Sequence, residues 1–220
     1  MTSTTSTTKR ANDSWPWVAL GLAAVLGAGI AAGTVPTPVG PGPREAIEAT
    51  IQDVLAVLRD PSLSRDERIA RIETVAYDRF DFRTMAKLVL ARDWKRFSKE
   101  QQEEFQREFE TYLANSYGER IDRYDQEEVA IVGERQEPRG DVTVQTRIVG
   151  GENAGVAVDY RLRGRTGRWL VIDVVVEGIS LVSNYRDQFR EVLSNGGPDH
   201  LLAKLREKNA EKAVPASNGG

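Results

Sequence analysis

Residues 169–176 read WLVIDVVV, a strand-length apolar run that does not alternate between greasy and polar positions. Continuous runs of this kind belong to strands covered on both faces, whereas a strand with one wet face reads with period two. The run ends at Glu177-Gly178, and from Ile179 onward apolar residues return at helical spacing, through Val182, Tyr185, Phe189 and Val192. The chain therefore contains a strand that lies centrally in its sheet or is covered on both faces, and that turns sharply into an amphipathic helix. Asp173 and Glu177 interrupt the run, and a carboxylate between valines is costly unless it is partnered. Arg186, Arg161 and Arg163 are the candidate partners, and Asp173, Glu177 and Arg186 read as a structural set fixing the strand-to-helix turn.

Upstream of this strand the period-two signal is clean. Val142, Val144, Thr146 and Ile148 share one face, and Val156, Val158, Tyr160 and Leu162 do the same one strand later. Glycines at 150, 151, 164 and 167 supply the turns. Four antiparallel strands are predicted between residues 128 and 176. Before them the period is helical. Ile47, Ile51, Val54, Leu55 and Leu58 mark a helix over 44–59 that Pro61 terminates. Ser64 with Glu67 forms a capping box for a second helix, with Ile69, Ile72, Val75 and Ala76 inward. A third carries Phe82, Met85, Leu88 and Val89 on one side. Ser98 with Gln101 opens a long fourth helix whose stripe is unusually aromatic: Phe105, Phe109, Tyr112, Leu113, Tyr117, Ile121 and Tyr124. A last helix follows Pro198. Helices and strands are segregated along the chain, so the predicted class is α+β, with helices packed on a curved four-stranded antiparallel sheet.

The N-terminal region is organised differently. Lys9 and Arg10 precede an uncharged stretch from Trp17 to Gly33, the pattern of an export signal with cleavage before Thr34, or of an uncleaved membrane anchor. Residues 34–43, TVPTPVGPGP, read as an extended linker. The domain is expected over 44–208, and 209–220 as a polar, disordered tail.

Several chemistries are excluded or weakened by composition. The 220-residue chain has no cysteine, so thiol nucleophiles, disulfides and thiolate metal sites are impossible. His200 is its one histidine and lies in a charged helix, which leaves no credible catalytic triad and no histidine-rich metal site. A net charge of −3 with interspersed signs argues against nucleic acid as a partner. No phosphate-binding loop, dinucleotide fingerprint or nucleophile elbow occurs, and no cofactor is expected.

Three segments, FDFRTMAKLVLARDWKRFSKEQQEEFQREFETYLANSY, WLVIDVVVEGISLVSNYRDQF and NGGPDHLLAKLREK, together resemble the MlaC or toluene-tolerance family of periplasmic phospholipid-binding proteins. The similarity runs over about residues 44–208. It implies a nuclear-transport-factor-like fold with a deep apolar pocket and phospholipid as cargo, shuttled between outer and inner membranes to maintain outer-membrane lipid asymmetry. It also implies an inner-membrane ABC transporter with an MCE-domain subunit, and an outer-membrane lipoprotein complex, as partners.

On that reading the apolar positions above divide into pocket walls. The sheet contributes Val144, Val158, Tyr160, Val171, Val174 and Val175, and the strand-to-helix segment adds Ile179, Val182, Tyr185 and Phe189. The opposite wall is Phe82, Met85, Val89, Phe105, Phe109 and Leu113. Val171 and Val175 are expected on one strand face. Each of these residues equally suits a filled core. Two other functions compete with a carrier: an isomerase or dehydratase using Asp173 with Tyr160 or Tyr185, and a tethered, non-catalytic envelope scaffold.

Overall fold

The computed structural model describes residues 40–118 and 127–213. The predicted leader, most of the linker, the end of the tail, and Ile121 and Tyr124 of the aromatic stripe lie outside the described residues, as does the side chain of Tyr117.

Four helices come first. α1 spans Pro43–Leu58, with proline in its first turn, where a missing N–H costs nothing. α2 spans Arg65–Arg79 and starts with the predicted Ser64–Glu67 capping box, both halves formed. α3 spans Phe82–Leu90 and is capped by Asp81, which accepts from the Thr84 N–H at 2.8 Å. A 3-10 turn follows over Ala91–Arg96, and α4 runs over Lys99–Gly118. Ser98 and Gln101 cap α4 reciprocally, at 3.2 and 2.9 Å.

The sheet has strands β1 (Glu128–Gln136), β2 (Val142–Val149), β3 (Ala157–Arg165), β4 (Arg168–Val176) and β5 (Ile179–Ser180), antiparallel in the order of the chain. It thus has five strands, one more than the sequence pattern indicated. The addition is a two-residue strand too short for any periodicity to reveal. It arises because Glu177 and Gly178 both adopt positive φ, 49° and 80°, which closes a tight hairpin between Val176 and Ile179. Ile179 consequently lies in a strand, not in the helix. The Glu177 carboxylate accepts from the Ala157 N–H, and its own N–H donates to the Ala157 carbonyl at 2.9 Å, so the turn is tied to β3.

α5 follows over Leu181–Ala213 and breaks at Gly197, where φ is 72°, just before Pro198. The two terminal helices expected from the sequence are the two arms of this kinked element.

β4 carries a bulge. Arg161 pairs with Asp173 but Leu162 pairs with Val171, so Ile172 is the extra residue. The bulge flips the alternation. Val171, Val174 and Val176 share the face of Leu162, Tyr160 and Val158, while Asp173 and Val175 share the face of Arg161 and Asp159. The expectation that Val171 and Val175 face the same way is corrected by this one-residue insertion.

The expected Asp173–Arg186 pair does not form either. Asp173 accepts from Ser180 Oγ at 2.6 Å and from the Val182 N–H at 3.0 Å, while Ser180 Oγ accepts from the Ser183 N–H at 3.0 Å. These bonds satisfy the otherwise orphaned donors of the first turn of α5. Arg186 instead donates twice to the Leu88 carbonyl at the end of α3, at 3.0 and 2.8 Å. Arg161 and Arg163 converge on the fully buried carboxylate of Asp141, at 2.7–2.8 Å.

Asp173 and Asp141, both buried, have opposite pH signatures. Burial pushes the Asp173 carboxyl above its ordinary value of 3.8, against its hydrogen bonds from Ser180, Val182 and Val174. Burial also acts on Asp141, but the hydrogen bond and charge of Arg163, with Arg161, outweigh it and hold that carboxyl below 3.8. A raised carboxyl contributes stability that is full below its unfolded value and fades as pH rises through the folded value. A depressed one contributes stability present above its unfolded value and lost as pH falls through the folded value. Denaturant titrations across acidic pH should therefore show wild type gaining on Asp173→Asn, and losing ground to Asp141→Asn, as pH falls. The same sign for both pairs would contradict these assignments. At neutral pH Asp173→Ala, which orphans Ser180 Oγ and the Val182 N–H, should cost about 1–3 kcal/mol.

Candidate apolar ligand site

The buried side chains form two separate clusters. The helical one unites α3, α4 and α5 through Met85, Val89, Phe105, Phe109, Leu113, Val182, Tyr185 and Phe189. Its aromatic centre is tightly packed: Phe105 and Phe109 stack at 5.7 Å, and Phe189 meets both rings edge-on at 5.8 and 5.9 Å. The sheet-side cluster places Ile47, Ile51 and Leu55 of α1 over Val144, Val158, Tyr160, Leu162 and Val171. Burial pushes the Tyr160 phenol well above its usual range, with the charge of Asp159 adding to the effect.

Most of the sequence-predicted wall residues thus lie inside one or other of two packed cores. Apolar surface also stays partly uncovered where the two cores meet. Phe80 packs against both clusters and is only half-buried. Its backbone bridges Val171, and the next N–H, of Asp81, donates to the Val171 carbonyl at 2.9 Å. Val174 is half-buried although Val171 and Val176, on the same strand face, are 1% and 6% exposed and its cross-strand partner Tyr160 is 7% exposed. Val174 is thus less covered than its neighbours on an otherwise buried face.

α2 tells the same story. Its apolar residues Ile69, Ile72, Val75 and Ala76, expected to point inward, are all half-buried, and no residue of this helix is fully buried. At its C-terminal end Tyr77 is 54% exposed. Tyr77 lies 5.6 Å from the Phe82 ring, and Phe82 stacks on Phe80 at 5.8 Å. Three rings therefore lead from solvent to the residue that both cores share.

Acidic groups flank the outer ring. Burial, then the charges of Glu110 and Glu73, push the Tyr77 phenol upward. Glu110 on α4 is itself half-buried, and its carboxyl is raised by burial despite a 2.8 Å hydrogen bond from Gln106 Nε2.

Two predicted wall positions sit elsewhere. Ile179 is 46% exposed on β5, and Val175 is on the polar face of β4, away from Val171 and Val174. Conversely, the sequence reading did not single out Phe80, Tyr77 or Glu110. The spacing of Tyr77, Phe80 and Phe82 fits neither a helix face nor a strand face, because the three straddle the α2–α3 junction. A separate crevice between the end of α3 and α5 is lined by Val89, Leu90, Phe189 and Leu193, with Arg92, Arg186 and Arg190 among its polar residues. Among the described residues no group of three potential metal ligands occurs, and no helix is long and apolar enough to cross a membrane.

Comparison with known proteins places these features in a family. The model of the family described as MlaC protein matches residues 48–207. The intermembrane phospholipid transport system binding protein MlaC of Haemophilus influenzae is 22% identical over 181 residues, covering 78% of this chain and 82% of that protein. Toluene tolerance protein ttg2D of Pseudomonas putida is 28% identical over 100 residues, 46% of either chain, so that match spans about half the relative's length. Among solved structures, the phospholipid-binding protein from Ralstonia solanacearum, in complex with a phospholipid, aligns with a TM-score of 0.72 and 27% identity. The alignment covers 79% of this chain and all of that one. With the family match extending from α1 into the second arm of α5, the chain belongs to the MlaC family.

Proposed function

We propose that this protein is a periplasmic phospholipid carrier, holding acyl chains at the junction of its two cores. The observation that carries this reading is the apolar surface left half-buried at Phe80, which packs on both clusters, and at Val174 on the sheet-side cluster. A molecule whose function were only structural would gain by closing that seam, because each apolar surface left uncovered forgoes about 25 cal/mol per Å². The likeness to a structure solved with phospholipid bound supports the same reading.

Carriage needs no chemistry beyond burial. At about 0.8 kcal/mol per methylene, two long acyl chains supply tens of kcal/mol of gross driving force, so a dry seam is enough and the head group stays at its mouth. Asp173 fits a non-catalytic role, because both of its oxygens accept hydrogen bonds that fix the start of α5, from Ser180 Oγ and the Val182 N–H. The carrier serves outer-membrane lipid asymmetry by passing lipid between an outer-membrane lipoprotein complex and an inner-membrane ABC transporter with an MCE-domain subunit. Residues 1–33 direct export, with cleavage before Thr34 leaving the linker at the new N-terminus.

Native mass spectrometry of the purified protein tests the central point. Phospholipid should accompany the folded chain in near-stoichiometric amount. Replacing Val174 by glutamate should leave the domain folded, because the seam is open enough to solvate a charge, while sharply reducing bound lipid. Lipid-free wild type, or undiminished lipid in folded Val174→Glu, would overturn the reading. N-terminal sequencing of the mature protein should begin near Thr34, whereas an intact Met1 on a membrane-bound product would make the leader an anchor.

A further inference from the structure

We propose that the crevice between the end of α3 and the first arm of α5 docks a protein partner, which inserts an apolar side chain flanked by carboxylates. The site lies apart from the residues assigned to lipid, and its test does not depend on the carrier reading.

The floor of the crevice is core. Val89, Leu90, Phe189 and Leu193 line it, and all four belong to the helical cluster with exposures of 6% or less. A floor packed from behind keeps its shape without a ligand, which lowers the cost of filling it. The lip is turned by Ala91, whose φ of 48° is one that a residue with a Cβ rarely adopts. The 3-10 segment that starts there sets Arg92 and Asp93 among the lining residues. Strained positions of this kind collect where the fold presents a site.

The walls are mainly cationic. Arg92, Arg186 and Arg190 line the crevice against one acid, Asp93. Arg96 already binds the Asp93 carboxylate at 2.8 Å, so that charge is matched from outside the crevice. Arg190 reaches Asp187 at 3.2 Å, but both side chains are exposed and water screens the pair. Arg186 is half-buried, and both of its hydrogen bonds run to the Leu88 carbonyl, through Nε and one Nη. Its guanidinium is therefore fixed in place, while among the described residues no carboxylate pairs with it and its other Nη has no acceptor. The side chains of Arg92 and Lys95, both exposed on the 3-10 turn, make no hydrogen bond or ion pair with any described residue. A fixed, partly desolvated guanidinium gains more from an incoming carboxylate than a mobile, hydrated one, because screening is weaker and less freedom is lost.

Shape favours a protein over an anionic membrane. A bilayer surface is met by protruding apolar side chains, and among the described residues the exposed large ones, Tyr77, Val132, Val149 and Ile179, are all absent from this crevice. A recess with an apolar floor and cationic walls instead accepts one projecting side chain with acidic neighbours, as preformed pockets do at the centre of protein interfaces.

The test titrates the 15N-labelled protein with a short peptide of alternating Asp and Leu, blocked at both ends, and follows the backbone amide shifts. Saturable shifts centred on residues 89–93 and 186–193 are expected, and the same peptide with Lys in place of Asp should cause none. Arg92→Glu and Arg190→Glu should each weaken binding about fivefold, the upper worth of one exposed ion pair, and added salt should weaken it as well. Lys204→Glu, on the second arm of α5, should leave binding unchanged. Bound phospholipid should be the same in all of these proteins. Absence of saturable shifts, shifts centred elsewhere, equal binding of the lysine peptide, or unchanged affinity in both arginine variants would overturn the proposal. Phosphatidylglycerol vesicles that shift the same residues when the acidic peptide does not would also overturn it, making the crevice a membrane contact. Loss of phospholipid from both arginine variants would overturn it by making the crevice part of the cargo site. A wild type that binds the peptide but carries no phospholipid would support this proposal while removing the carrier reading.

Discussion

Asp173 holds the first turn of α5 against the bulge of β4, and the placement of the helical half of the molecule follows from that attachment. α5 packs on both α3 and α4, and Arg186, one turn further along, fastens it to the Leu88 carbonyl near the end of α3. The aromatic cluster of Phe105, Phe109 and Phe189 is thus hung from a strand-to-helix turn that a single carboxyl secures. The short hairpin at Glu177-Gly178 and the extra residue at Ile172 are the backbone devices that aim this turn. A flat, regular strand would have put Asp173 on the other face and left the donors of the α5 first turn without an acceptor.

That attachment also keeps the two cores apart. Each is dense within itself, with Phe105 and Phe109 in one and Val144 in the other wholly inaccessible. Phe80 packs on both and is only half-covered, as are Val174 on the sheet-side cluster and the apolar stripe of α2. Such an arrangement sacrifices stability in the empty protein and regains it when cargo fills the gap, since a ligand bound only by the folded state raises that state's stability by mass action. Rigid walls suit this task, because a soft junction would collapse onto itself and close the space against the lipid.

The sequence made much of this legible. Capping boxes at Ser64 and Ser98 located two helix starts, because their residue types leave few alternatives for the backbone. Period-two alternation located β2 and β3 and the faces they present. The missing alternation after Trp169 correctly signalled a strand covered on both sides: Val171, Ile172 and Asp173 are all buried. Local pattern failed at three kinds of feature. A one-residue bulge reverses every side chain beyond it, so Val175 was assigned to the wrong face. Partners distant in sequence cannot be chosen by charge alone: Arg161 and Arg163 serve Asp141, and Arg186 serves a carbonyl. The seam itself arises from elements meeting incompletely, and no periodicity encodes the half-burial of Val174 or the aromatic sequence Tyr77, Phe82, Phe80.

The central claim is positional: acyl chains lie between the two cores, against Phe80 and Val174, and not in any other apolar recess. Crystals of the protein loaded with a phospholipid brominated midway along both chains would locate those chains directly by anomalous scattering. Bromine peaks are expected in van der Waals contact with Phe80 and Val174. Peaks confined to the crevice between Val89 and Phe189, or to the outer surface of the domain, would contradict it.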